Sequence, residues 1–120
     1  MGRDHRKLRV FVQADALVLQ VYRVSAAFPF DERHGLASQL RRASVSVAAN
    51  LVEGSARRTT AEYRHFIHLA LGSAAETAYL IDLSARLGYV TAKDVEPLKS
   101  NSAMLVRGLV ALGRQLARME

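Results

Sequence analysis

Leu98-Lys-Ser-Asn-Ser102-Ala-Met-Leu105-Val-Arg-Gly-Leu109-Val-Ala-Leu112-Gly-Arg-Gln-Leu116-Ala-Arg-Met119 decides the fold. Its marked residues recur alternately four and three positions apart. A period near 3.5 puts them in one seam along a helix, and a strand would need alternation instead. The helix is expected to span about 92–118. Thr91 stands in the cap position with Asp94 three residues on. Pro97 near the start predicts either a separate turn over Thr91–Glu96 or a bend.

The same alternation extends back through the chain. Phe66, Ala70, Ser73, Thr77, Leu80, Ser84 and Leu87 give a helix over about 60–87, opened by a Thr59-Thr60-Ala61-Glu62 capping box and ended at Gly88. Leu36, Leu40, Ala43, Val47 and Asn50 give one over about 32–53, with Asp31 as its expected cap and Gly54 as its expected stop. Val10, Ala14, Leu17, Val21 and Val24 give one over about 8–27, terminated by Phe28-Pro29-Phe30. The joints are short, so consecutive helices must run antiparallel. The expected architecture is all-α, one domain over residues 1–120 folded as an up-down-up-down antiparallel four-helix bundle.

A chain of 120 residues can bury a core without staples. The absence of cysteine removes disulfides, zinc–thiolate and iron–sulfur sites and a thiol nucleophile. Seventeen Lys and Arg against eleven Asp and Glu leave a net charge of +6, which suits an anionic partner, nucleic acid first. Fourteen of those cations are Arg and three are Lys, a bias that an Arg-rich genome also produces. No apolar run approaches the length of a membrane span, and the charged stretch 1–7 has no apolar leader core. A cytoplasmic protein without membrane attachment is the expectation.

Residues 43–52 carry no charge, and residues 66–75 carry none apart from the titratable His68. Both stretches are rich in small side chains. A helix without a polar face is buried on more than one side, and the bundle core accounts for one. Homo-oligomerisation through the second and third helices follows; a tight monomer core filled by small residues is the alternative.

Glu62-x-x-His65 matches half of a di-iron carboxylate motif, but no second copy exists and the first and last helices lack the other acids, so no metal or other cofactor is expected. His65 and His68 share a helical face without a carboxylate in register. No phosphate loop or nucleophile motif occurs, which argues against an enzyme. Ser46, Asn50 and Glu53 on the second helix and Ser73 and Glu76 on the third are read as a structural polar network, its carboxylates accepting from Arg42, Arg57 or Arg58. A catalytic carboxylate pair is the competing reading.

Arg41-Arg42, Arg57-Arg58 and Arg64 bracket the hairpin of the second and third helices. Clustered guanidinium groups suit phosphate, and assembly would repeat the cluster. A solvated loop with internal ion pairs is the alternative. Arg3, Arg6, Lys7 and Arg9 form a second basic arm. With few aromatic residues among these clusters, stacking on unpaired bases is not expected.

Gln39-Leu40-Arg41-Arg42-Ala43, then Ser46-Val47-Ala48-Ala49-Asn50-Leu51-Val52-Glu53-Gly54, Arg57-Arg58-Thr59, Glu62-Tyr63, Phe66 and Gly72-Ser73-Ala74-Ala75-Glu76 together resemble the four-helix proteins encoded in intervening sequences of large-subunit ribosomal RNA genes. The accessory protein of diversity-generating retroelements is similar. The resemblance covers about residues 28–90 closely and the outer helices by pattern. It implies a left-handed up-down bundle, a homopentamer, and association with RNA or DNA, in the retroelement relatives beside a reverse transcriptase. It implies no catalytic residues. Ala48, where the family often has Pro, and Leu51-Val52, where it often has Ile-Ala, are mild departures. The expected function is backbone binding of low sequence specificity, with a protein–protein scaffold as the alternative.

Overall fold

The computed structural model describes residues 3–120; the first two residues of the basic stretch 1–7 lie outside it. Four helices, α1 (Arg9–Ser25), α2 (Leu36–Ser55), α3 (Thr60–Arg86) and α4 (Ala92–Met119), form a rod of 45 × 22 × 19 Å. No strand occurs among the described residues. Each helix packs on the next, and α4 returns to α1. The backbones of diagonal pairs stay apart, so the helices are arranged as a square. The α2–α3 and α3–α4 seams are the densest and the α1–α4 seam is the sparsest.

The core follows the predicted seams along most of their length, with the buried position shifted by one at several places: Ser25 for Val24, Leu51 for Asn50, Ile67 for Phe66 and Ala74 for Ser73. Val10, Ala14, Leu17 and Val21 of α1 are buried, as are Leu36, Leu40, Ala43 and Val47 of α2. In α4 the seam ends differently: Leu98, Ser102, Leu105, Leu109 and Leu116 are buried, but Gly113 replaces Leu112, and Met119 is exposed. In α3 the buried arc is wider than the predicted stripe. Tyr63, Ile67, Ala74 and Ile81 join it, because α3 is wedged in the two densest seams, while the predicted Phe66 and Ser73 are only half-buried and Leu87 is exposed. Buried hydroxyls are spent inside their own helices. Ser44, Ser55, Thr77, Ser84 and Ser102 each donate to a carbonyl three or four residues back, which satisfies them without a partner helix.

The helix ends correct two readings. Asp31 is not a cap, and residues 30–32 form a 3-10 turn ahead of α2, which begins at Leu36. Glu32 does the capping: Oε1 accepts from the Leu36 N–H at 3.1 Å, while Oε2 accepts from the Tyr89 hydroxyl at 2.9 Å. One carboxylate therefore ties the α1–α2 joint to the α3–α4 joint. That hydrogen bond, more than burial, holds the Tyr89 phenol above its ordinary pKa. Gly54 is not a stop, because α2 continues to Ser55. A Cβ there would lie 2.7 Å from Phe66 Cβ and 3.2 Å from Tyr63 Cδ1, so the glycine marks a close approach of α2 and α3. Gly88, at φ +78°, does serve as the left-handed residue behind α3.

The remaining signals are met. Thr59 Oγ1 accepts from the Glu62 N–H at 3.1 Å, and Glu62 Oε1 accepts from the Thr59 hydroxyl and N–H. These bonds hold the Glu62 carboxyl below its usual pKa, with the Thr59 hydroxyl the largest cause. Thr59 Oγ1 thus completes the capping box and Thr91 Oγ1 caps α4 by accepting from Asp94 N–H. Pro97 sits inside a continuous α4 and makes no separate turn.

Candidate nucleic-acid interface

Up-down topology sends the start of α1, the α2–α3 loop and the end of α4 to one pole, and the α1–α2 and α3–α4 joints to the other. The candidate arginines divide between these poles. Arg41 and Arg57 are sixteen residues apart on or just beyond α2, about 24 Å at 1.5 Å per residue. They fall in two separate groups and not in one bracket.

At the loop pole the chain gathers cations that sequence spacing left apart. Arg3 N–H donates to the Ser55 carbonyl at 3.1 Å, and its Nη1 donates to the Arg57 carbonyl, also at 3.1 Å. The Arg3 guanidinium lies 4.2 Å from the centre of the Tyr63 ring. Burial raises the Tyr63 phenol above its usual pKa, with Arg3 pulling it partly back. The basic arm is thereby pinned beside the loop, with Arg6 and Lys7 in a 3-10 turn just behind it. Arg57 is spread over Phe66 at 5.0 Å and donates to the Glu53 carbonyl at 3.3 Å, while Arg58 is exposed. Arg64 is engaged elsewhere, with Nη1 on Glu120 Oε2 at 2.8 Å. Arg6 is likewise paired with Asp4 at 3.0 Å, which lowers the Asp4 pKa. The cations of this pole without a carboxylate partner among the described residues include Arg57, Arg58, Lys7 and the exposed Arg114 and Arg118 on the last turns of α4.

At the opposite pole Arg41 is a strut. Its Nε donates to Ser25 Oγ at 2.7 Å, one Nη donates to the Tyr22 carbonyl at 3.3 Å, and the guanidinium covers the Tyr22 ring at 4.6 Å. Arg42 is exposed.

The polar network forms in its inner half only. Ser46 Oγ and Ser73 Oγ are 2.8 Å apart across the α2–α3 seam, and Asn50 Nδ2 donates to the Ser46 carbonyl at 2.8 Å and to Ser46 Oγ at 3.1 Å. Glu53 and Glu76 take no part. Both are exposed, and neither carboxylate pairs with Arg42, Arg57 or Arg58. The reason is angular: Glu53 and Glu76 point further round the outer surface than Asn50 and Ser73. Asn50→Ala should therefore cost about 1 kcal/mol, the worth of a typical buried hydrogen bond. Glu53→Ala should stay within about 0.5 kcal/mol of the parent, as exposed substitutions do. Chemical denaturation of both variants checks this, and equal losses would return Glu53 to the network.

The uncharged stretches do reach solvent. Val45, Ala49 and Val52 fall on the outer side of α2, and Leu69, Gly72, Ala75 and Tyr79 on that of α3. Val45, Val52 and Leu69 are 39%, 40% and 43% exposed. Val12 and Leu19 of α1 are also exposed, at 58% and 51%, which the charge pattern alone did not reveal.

Among the described residues no group of three His, Asp or Glu side chains is placed to hold a metal, and no helix is long and apolar enough to cross a membrane. The pattern of the family described as 23S rRNA-intervening sequence protein matches residues 6–111. A solved structure, a protein of unknown function from the S23 ribosomal protein family of Bacteroides thetaiotaomicron, superposes with a TM-score of 0.77 at 21% identity, covering 86% of this chain and 96% of that one. At that identity the likeness speaks for the fold. Among curated proteins none matches the chain. Neither similarity indicates an enzyme family.

Proposed function

The chain belongs to the family of 23S rRNA-intervening sequence proteins, and on that premise we propose that it is a non-enzymatic, homo-oligomeric module that binds the phosphate backbone of RNA or DNA through its loop pole. The observation that carries this is the docking of Arg3 on Ser55 and Arg57, which brings the basic arm and the Arg57-Arg58 loop to one surface. Phosphate contacts need clustered cations, and each bound phosphate releases counterions. No element has the placement of a groove-reading helix, so specificity for sequence is low.

Assembly through the outer faces of α2 and α3 would repeat that pole and multiply individually weak contacts. The uncharged, partly exposed stripe over Val45, Ala49, Val52, Leu69 and Gly72 supports it. The family resemblance suggests five copies, about 66 kDa by light scattering from a 13.2 kDa chain. Ala49→Arg should return the protein to a folded monomer, since the residue is exposed in the single chain. A parent protein already monomeric would refute assembly.

Binding is tested by fluorescence anisotropy of a labelled RNA duplex over a salt series. The logarithm of affinity should fall linearly with the logarithm of salt, with a slope of about −0.9 per phosphate contacted. No binding at low salt would sink the reading. It would favour a protein–protein scaffold, for which the exposed Val12 and Leu19 of α1, outside the α2–α3 stripe, are the supporting feature. A reverse transcriptase beside the retroelement relatives is the partner class that this second reading would test first.

A further inference from the structure

Phe28-Pro29-Phe30 sends its two rings in opposite directions. Phe28 is buried, tilted against Tyr89 at 5.5 Å. Phe30 is 78% exposed, the most exposed large apolar side chain among the described residues. The Arg33 guanidinium lies 5.1 Å from the Phe30 ring centre. A planar cation covers one face of a ring, so at this exposure the other face is open to solvent. Beside it, at the joint of α1 and α2, is a cleft of about 280 Å³ lined by Ser25, Phe28, Pro29, Phe30, Arg33 and Arg41.

The charges around this cleft are ordered in advance. Arg41 is clamped by Ser25 and the Tyr22 carbonyl through Nε and one Nη, and its other Nη has no protein acceptor among the described residues. Glu32, the carboxylate nearest in sequence to Arg33, is taken up by the Leu36 N–H and the Tyr89 hydroxyl. Asp31 is exposed but does not line the cleft. Two arginines therefore face a small apolar hollow with an aromatic ring at its rim. That is the chemistry of a planar, anionic ligand: stacking for the ring, guanidinium for the charge. The volume lies below the usual range for drug-sized ligands, about 300–1,000 Å³, so it admits one base and no duplex.

We infer that this cleft holds one unpaired nucleotide of a nucleic-acid strand, its base on the open face of Phe30 and its phosphate at Arg33 and Arg41. The inference rests on the nucleic-acid reading above and adds a second contact at the far pole, about 24 Å from the loop cluster. It also reverses the expectation that stacking is absent. The aromatic contribution comes from a turn, where Phe30 and Arg33 meet three residues apart, and from the folding of Arg41 against α1.

The test uses the full chain and two labelled RNA probes, an unstructured twelve-nucleotide single strand and a duplex of the same length, at one fixed salt concentration. Phe30→Ala should weaken the single strand about tenfold, within the range for a stacked base, and leave the duplex within about twofold. Phe30→Trp should restore the single-strand affinity. Since Phe30 is exposed, both variants should keep the parent's circular dichroism and melting. Unchanged single-strand affinity of Phe30→Ala, with duplex binding intact, overturns the cleft and leaves the loop pole standing. Equal losses on both probes overturn it too, because the ring would then act on the whole protein. If the parent binds neither probe, the cleft and the nucleic-acid reading fall together.

Discussion

Arg57→Glu combined with Arg58→Glu should weaken duplex binding by roughly 60-fold at 0.1 M salt and flatten the salt slope by about 2, if each arginine neutralises one phosphate. The size follows from counterion release: a slope of about −0.9 per contact makes each contact worth about eightfold between 1 M and 0.1 M salt. Repulsion by the two new carboxylates adds to the loss. The fold should survive. Arg58 is exposed, and what Arg57 gives the protein is its stacking on Phe66, about 0.5–1 kcal/mol, and a solvent-exposed hydrogen bond to the Glu53 carbonyl. The carbonyl of residue 57, which receives Arg3, is unaffected by the side chain. Anisotropy titrations at three salt concentrations, with melting recorded in parallel, separate the two effects. A salt slope equal to the parent's would remove both arginines from the interface, and a collapse in melting would assign them to stability. Arg41, by contrast, is a poor choice for such a test, because its loss also removes the strut between α1 and α2.

Gly54→Val should lower the melting temperature by about 8–12 °C, from an overpacking cost of about 2–3 kcal/mol at roughly 4 °C per kcal/mol for a chain of this size. The obstruction is the first atom of the side chain. It would meet Phe66 Cβ at 2.7 Å, and a Cβ cannot rotate away, so α2 and α3 would have to separate along the densest contact in the bundle. Gly113→Ala should do the reverse. A Cβ there meets His68 and Ile67 at 3.6–4.0 Å, ordinary contact distance, and alanine gains about 1 kcal/mol over glycine inside a helix. A rise of about 4 °C is expected. Differential scanning calorimetry of both variants at one protein concentration decides it. If both glycines behave alike, the close approach of α2 to α3 is not what Gly54 serves.

Why the bundle could be read from sequence, and the site only partly, has a physical cause. Helical period and caps are local, and Thr59, Glu62, Thr91 and the Leu98–Leu116 seam express themselves within a few residues. Gly54 shows the limit of that reasoning. A glycine behind an apolar stripe looks the same whether it ends a helix or admits a neighbouring one, and only Phe66, across the seam, distinguishes the cases. Asp31 and Glu32 are adjacent acids ahead of α2, and the choice of Glu32 depends on Tyr89, far along the chain. The wide buried arc of α3 depends likewise on its having two dense seams. The arginines were visible as a set, but their partners were not. Arg3 finds Arg57, Arg41 finds Ser25 and Arg64 finds Glu120, all contacts made by the fold. The separation of Arg41 from Arg57 could have been had from the rise of a helix alone.

The even number of antiparallel rods returns the chain to the side from which it set out, so Arg3 and Glu120 flank the same crown as the Arg57-Arg58 bend. A purification handle fused at either extremity would hang over that crown, and a polyhistidine or acidic one would distort any titration against RNA. The Gly88 bend lies at the opposite extreme, on the pole of the Phe30 cleft, and already holds an unusual backbone. A circular permutant opened there, with its original ends bridged by a neutral linker, would carry handles away from Arg57 and Arg58, which suits the duplex titration and not the single-strand one, while testing whether the arm must be free to dock.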